Sequence, residues 1–216
     1  MGFKIALDGP SGAGKSTIAK KVSQELGYIY VDTGALYRAI ALAFLSAENK
    51  NAEEVLQACD VTIRYEDNRQ RVFLNGCDVT ERLREEAVGN KASQVSARPD
   101  VREKLLGLQR DLGETYNVVM DGRDIGTHVF PNADIKIYLT ADAKERADRR
   151  YRELLKKGKH CDRETIEKDI IERDQRDMTR EIAPLKRAED AVYVDSTHMT
   201  IDEVVETIIK VVREAK

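Results

Sequence analysis

The chain has 216 residues, 41% of them hydrophobic and 35% charged, the composition of a soluble globular protein long enough to fill one good core. Thirty-six Lys and Arg against 39 Asp and Glu leave a net charge of −3, so no overall basic field exists to hold nucleic acid. No apolar run approaches the roughly 18 residues of a membrane span, and polar Asp8 follows Ile5-Ala6-Leu7 too soon for a leader-type apolar segment.

In chain order, the first informative stretch is Lys4 to Thr17, KIALDGPSGAGKST. Gly9, Pro10, Ser11, Gly12, Ala13, Gly14, Lys15 and Ser16 have phosphate-loop spacing, and Thr17 follows. A short apolar strand precedes the loop, and Ile18, Val22 and Leu26 recur at helical spacing after it. In that setting the loop's N–H groups turn around one anion at a helix N-terminus. Lys15 then reaches the β- and γ-phosphates of ATP, and the Ser16 hydroxyl is a ligand for Mg²⁺. Gly27 ends this helix, and Tyr28 to Val31 reads as a second strand broken by Asp32-Thr33-Gly34. Ala35 to Leu45 is helical, with Arg38 in its first turns, where only a bound anion or solvent would favour a cation.

Asn51 to Ala58 reads as a short helix. The period then changes. Val61, Ile63 and Tyr65 alternate with polar residues, as do Val72 and Leu74 after a polar turn at Asp67 to Gln70, and Asn75-Gly76 predicts a tight turn. This is a small three-stranded antiparallel insert with one apolar face, expected to pack on a helix. Glu85 to Ser96 is weakly amphipathic. Pro99 opens a clearer helix, with Val101, Leu105, Leu108 and Leu112 on one side and Gly113 expected to close it. Asn117 to Met120 is a buried-type strand leading into Asp121-Gly122-Arg123-Asp124. Strand ends carry the site in open α/β sheets, so Asp121 is expected to help hold Mg²⁺, partly through water.

Ile135 to Leu139 is the next strand, and Asp142 with Glu145 predicts a capping pair. Two charged helices follow, carrying Arg146, Arg149, Arg150 and Arg152, then Arg173, Arg176 and Arg180. Their scant apolar surface predicts loose packing, as in a flap that closes over a charged ligand. Ala191 to Val194 is the last strand. Thr200 and Glu203 form a capping box for a final helix with a clean apolar face. The three cysteines, Cys59, Cys77 and Cys161, have neither disulfide nor zinc spacing, which suits a reducing cytoplasm. No apolar stripe demands a partner, so a monomer is expected.

A phosphate loop names a ligand, not a reaction. A guanine-specific switch would usually carry N-K-x-D, but Asn49-Lys50-Asn51-Ala52 and Asn90-Lys91-Ala92-Ser93 both lack the Asp. Small size and an arginine-rich flap suit phosphoryl transfer between two small ligands, with water excluded. The segments DGPSGAGKST, VDTGALYRA, NKASQV, DGRDIGTHVFP and ERDQRDMTREIAPL, in that order, resemble the bacterial cytidylate kinases. These are P-loop nucleoside monophosphate kinases, and the similarity runs nearly the whole chain. The resemblance implies an α/β fold with a five-stranded parallel core sheet flanked by helices. It further implies one domain over residues 1–216, an NMP-binding insert at about 33–97 and a helical lid at about 150–180. It implies transfer of the γ-phosphoryl of ATP to CMP or dCMP, with Mg²⁺. By position, Thr33, Arg38 and Arg123 would hold the acceptor phosphate. Ser93, Arg102 and Asp124 would read cytosine. Arg173, Asp177 and Arg180 would bind the sugar and phosphates, with Lys15, Arg123, Arg149 and Arg180 expected to carry catalysis. Some family members have Gly where this chain has Ser16, and Thr17 is a second hydroxyl candidate for the metal.

Overall fold

The computed structural model describes residues 2–47, 51–66 and 69–216. Strand β1 (Lys4–Asp8) leads through the phosphate loop into helix α1 (Lys15–Leu26), then β2 (Ile29–Asp32) and α2 (Thr33–Ser46). Helix α3 (Ala52–Ala58) precedes the insert strands β3 (Val61–Glu66), β4 (Arg69–Leu74) and β5 (Cys77–Asp78). Helices α4 (Glu86–Val95) and α5 (Pro99–Thr115) return the chain to β6 (Val118–Gly122) and β7 (Ile135–Thr140). Helices α6 (Ala143–Lys156) and α7 (Arg163–Thr179) are the two charged helices, before β8 (Val192–Asp195) and α8 (Ile201–Glu214).

The core sheet is parallel, with strand order β2-β6-β1-β7-β8. Alternation along β1 assigns its faces: Ile5 and Leu7 pack under α1 and α8 against Ile18, Val22, Val205 and Ile208, while Ala6 faces Met120, Ile125 and Phe130. Burying each large aliphatic side chain here contributes about 1.5–3 kcal/mol. Register brings the polar strand ends level. Leu7 lies beside Asp121 and Asp8 beside Gly122, and Asp32 lies beside Asp121. Three acidic residues therefore meet at the carboxyl edge of the sheet, around the phosphate loop.

The insert is the expected antiparallel sheet, in order β3-β4-β5. Asn75 and Gly76 take positive φ of 52° and 78° at its tight turn. Its apolar face, Val61, Val72 and Val79, packs on Leu36 and Ile40 of α2 in a second core. Arg69 and Gln70, expected in a polar turn with Asp67 and Asn68, belong to β4. Asp67 and Asn68 lie outside the described residues, as do Asn49 and Lys50, while Arg69 and Gln70 already pair with Glu66 and Tyr65. Gln70 also joins the insert to the edge of the core sheet. Its Oε1 accepts from Asp32 N–H at 2.8 Å, and its Nε2 donates to Asp32 C=O at 3.2 Å.

Four local expectations are corrected. Helix α2, expected from Ala35, starts at Thr33 directly after β2, because the Asp32 side chain accepts from Ala35 N–H. Gly113 does not close α5; the helix runs on to Thr115, and a Cβ on Gly113 would lie 2.5 Å from Phe130 Cζ, so close packing accounts for the glycine. Asp142 caps α6 through Lys144 N–H at 2.8 Å, but Glu145 turns to Arg149 at 3.1 Å and does not complete a box. The two charged helices are not loosely packed. Ala147, Ile166 and Ile170 form a small apolar cluster between them, and the buried Arg146–Asp174 pair, at 2.5 Å, adds a polar join.

Candidate active site

The phosphate loop is shaped by what surrounds it. Gly9 has φ 152°, and a Cβ there would fall 1.9 Å from Leu139 C=O, so only glycine lets the loop leave β1 this close to β7. Lys15 opens α1, is 6% exposed, and folds its Nζ back to donate to Pro10 C=O at 2.7 Å. Burial, then the Arg123 charge, pushes the Lys15 ammonium well below its ordinary value. Ser16 Oγ donates to Asp121 Oδ2 at 3.0 Å, and the Tyr30 hydroxyl donates to Asp121 Oδ1 at 2.7 Å. Burial, then the neighbouring Asp32 charge, pushes the Asp121 carboxyl up to about 6. A hydroxyl and a carboxylate are the hard oxygen donors Mg²⁺ takes. No group of three or more His, Cys, Asp or Glu able to hold a metal occurs among the described residues.

Helices α6 and α7 are both fastened to the loop at Ser11. Ser11 N–H donates to Asp174 Oδ1 at 3.0 Å, and Ser11 C=O accepts from Arg146 Nη1 at 2.7 Å. The Arg146 guanidinium also donates to Ala141 C=O at 2.9 Å.

Across the sheet edge lies a second polar group. Arg102 and Arg180 both pair with Asp124, the latter at 3.1 Å, and all three side chains are buried. Arg123 Nε donates to Asp177 Oδ2 at 2.9 Å. Burial, then the Arg123 charge, lowers the Arg173 guanidinium to about 10, with Arg38 adding further repulsion. Lys15 feels Arg173 as well as Arg123. Four cations crowd one another here, an arrangement a polyanion would relieve. Buried polar atoms without a hydrogen-bond partner include Ser93 Oγ, Arg102 Nε and Arg173 Nε. A cleft of about 230 Å³ between α4 and the end of α7 is lined by Ser93, Asp177 and Arg180, among others.

The structure therefore gathers Lys15, Ser16 and Asp121 on one side, and Ser93, Arg102, Asp124, Arg173, Asp177 and Arg180 on the other, with Arg123 between. Arg38 is held by Asp32 Oδ2 at 3.0 Å. Thr33 Oγ1 donates to Asp121 C=O at 2.7 Å, so its hydroxyl hydrogen fastens α2 to β6 and is not free for a phosphate. Arg149 is not brought to the group. It donates to Glu145 and to Ser196, whose carbonyl lies at 2.6 Å, because the phase of α6 aims Arg146 at the loop and Arg149 at the end of β8. As site residues, sequence reasoning passed over Asp8, Tyr30, Asp32 and Asp174, and it did not set Arg146 apart from the other arginines of its helix. Asp8 and Asp32 carried a legible signal, a carboxylate at the end of a predicted strand.

A sequence model of the family described as cytidylate kinase matches residues 5–214. The chain belongs to the cytidylate kinase family. The cytidylate kinase of Caldicellulosiruptor bescii is 50% identical over 213 residues, covering 96% of this chain and 94% of that one. That of Bacillus subtilis is 46% identical over 217 residues, covering 98% and 97%. Among solved structures, a shikimate kinase from Acinetobacter baumannii superposes with a TM-score of 0.51 at 17% identity, covering 100% of this chain and 96% of that chain. A gluconokinase from Sinorhizobium meliloti gives 0.50 at 15% identity, covering 99% and 93%. Those likenesses speak to the P-loop kinase fold alone. As a cytidylate kinase the protein is an ATP-dependent phosphotransferase, which sets aside the nucleotide switch.

Proposed function

We propose that this cytidylate kinase transfers the γ-phosphoryl of ATP to CMP or dCMP, giving ADP and CDP or dCDP, with the residues gathered above in the following roles. The observation that carries the assignment is a trio of orphaned buried atoms among the residues gathered at the site. Ser93 Oγ, Arg102 Nε and Arg173 Nε are desolvated without partners, a cost that a bound nucleotide repays by hydrogen bonding.

Asp124 accepts from the cytosine N4 amine, which uracil lacks, while Arg102 and Ser93 hold the rest of the base edge. Arg102 and Arg180 use only part of the carboxylate's four lone-pair sites, so capacity remains for the amine. Arg38 and Arg123 orient the acceptor phosphate, and Thr33 positions the turn that presents Arg38. Arg173 and Arg180 neutralise charge on the transferred group, with Asp177 holding Arg123 and facing the sugar. Lys15 swings from Pro10 C=O to the β- and γ-phosphates. Mg²⁺ bound with ATP at Ser16 and Asp121 would neutralise phosphate charge. An acceptor phosphate oxygen attacks Pγ. That bond forms as the bond from Pγ to the bridging oxygen breaks, and the electron pair leaves on ADP. The attacking oxygen is already ionised, so no general base is required, and positioning with charge neutralisation carries the rate. Arg149 stands outside this group, beside the end of β8.

We further assign residues of about 33–97 to acceptor binding and about 150–180 to a lid that excludes water, within one domain. The protein works as a cytoplasmic monomer on free nucleotides. No helix among the described residues is long and apolar enough to cross a membrane. ADP production from ATP and Mg²⁺ with CMP, dCMP, UMP, AMP or no acceptor tests the proposal. Stimulation by CMP and dCMP above all others supports it, and equal slow hydrolysis in every tube sinks it.

A further inference from the structure

Asp8 ends β1 and stands immediately before Gly9 of the phosphate loop. Its carboxylate is 5% exposed and meets backbone, not a cation. Oδ1 accepts from Ile125 N–H at 2.8 Å, and Oδ2 accepts from Gly126 N–H at 2.7 Å. These are the first residues of a π-helical turn, Ile125–Val129, that follows Arg123-Asp124 directly. The same turn hangs on Asp124 at its other end, since Asp124 C=O accepts from His128 N–H at 2.9 Å and Val129 N–H at 3.2 Å. Gly126 permits the approach. A Cβ there would lie 3.2 Å from the Lys136 side chain and 3.4 Å from Asp8 Oδ2.

This carboxylate is costly to the fold. Burial is the largest influence on it and pushes its pKa up to about 7. The two backbone N–H groups and Lys15 oppose that rise, and Asp124 adds to it. A small apolar residue would end β1 without that cost. What it would lose is a rigid link between two loops. One residue both joins the backbone of the ATP loop and holds the turn behind Arg123 and Asp124.

We propose that Asp8 is a positioning residue that sets the register between the donor-phosphate loop and the acceptor-reading loop. It touches neither nucleotide. The inference rests on the phosphoryl transfer proposed above, because in-line transfer needs the reacting atoms about 3–3.5 Å apart, and a misplacement of about 1 Å costs on the order of 10²-fold. Each loop would still bind its own ligand without Asp8, since Lys15 and Ser16 on one side and Arg102, Asp124 and Arg180 on the other keep their own hydrogen bonds.

The test is Asp8→Asn, which keeps the shape and one accepting oxygen but turns an amine towards the other N–H. Asp8→Glu is its companion; it keeps the charge and lengthens the arm by one methylene. For each variant, kcat is measured with CMP, and Kd is measured separately for CMP and for a non-hydrolysable ATP analogue, alongside Tm. The expected result is a fall in kcat of about 10–100-fold with both Kd values within about threefold of native. A purely structural role would lower Tm and weaken both ligands together. That pattern overturns the proposal, as does a kcat within about twofold of native in either folded variant. Should the Asn variant not fold, the Glu variant decides by the same readout; failure of both to fold assigns Asp8 to structure alone and overturns the proposal. If the native enzyme itself ignores CMP, the proposed reaction fails instead, which the native control shows separately.

Discussion

Asparagine at position 124 changes one carboxylate oxygen to an amide nitrogen at constant volume, and under the proposed roles it should have two separable effects. Native Asp124 is 4% exposed and accepts from Arg102 on one oxygen and Arg180 on the other. Removing its charge leaves two buried guanidiniums without a counter-ion. Breaking a buried pair in this way costs about 3–5 kcal/mol. Arg102 keeps a bond to Ser96 C=O at 3.1 Å and Arg180 keeps Ala183 C=O, which argues for the lower end. At about 2–4 °C per kcal/mol for a domain of this size, Tm should fall by about 6–12 °C. The second effect is on specificity. A carboxylate can only accept, which suits the cytosine N4 amine; an amide can present either an oxygen or an amine and so tolerates the uracil carbonyl. Discrimination between CMP and UMP should fall by about 1–3 kcal/mol, or about 5–150-fold in the ratio of kcat/KM values. The assay is steady-state ADP release with each acceptor at saturating ATP, next to a thermal melt. A fallen Tm with an unchanged CMP/UMP ratio would refute the reasoning, because Asp124 would then be only a counter-ion for the two arginines.

Lys15→Ala should remove most turnover yet fold normally, since burial already disfavours the native ammonium; a folded variant with near-native kcat contradicts its role. Tyr30→Phe deletes the 2.7 Å bond to Asp121 and should raise the Mg²⁺ concentration for half-maximal rate by about 2–10-fold, leaving KM for CMP unchanged. Asp8 makes stability depend on pH with a defined sign. Its carboxyl keeps a proton up to about 7 when folded, but only to 3.8 when unfolded. The folded state therefore binds more protons between these values, so the contribution of Asp8 is full below about pH 4 and is lost as pH rises through about 7. Asp8→Asn has no such proton, so its Tm relative to native should improve between pH 5 and pH 8; a gap that stays constant or moves the other way refutes the assignment.

Local pattern carried much of this protein. The phosphate loop was legible because glycine spacing, an apolar strand before it and a helical period after it all agree within Lys4 to Leu26. The insert was legible through its two-residue alternation and Asn75-Gly76, and α8 through the Thr200–Glu203 capping box and its apolar face. These are properties of neighbours in the chain, set by backbone geometry and side-chain period. The order β2-β6-β1-β7-β8 belongs to tertiary structure, and with it the levelling of Asp8, Asp32 and Asp121 at one sheet edge. So does the choice of Arg146 over Arg149 as the arginine that meets the loop. On a charged helix every arginine has the same local signal, and only the rotation of α6 against the phosphate loop and α7 decides which one is buried. Asp8 shows the same division. Its place in the sequence announces a carboxylate at a strand end, but the two N–H groups it holds lie 117 and 118 residues away, and only folding brings them together.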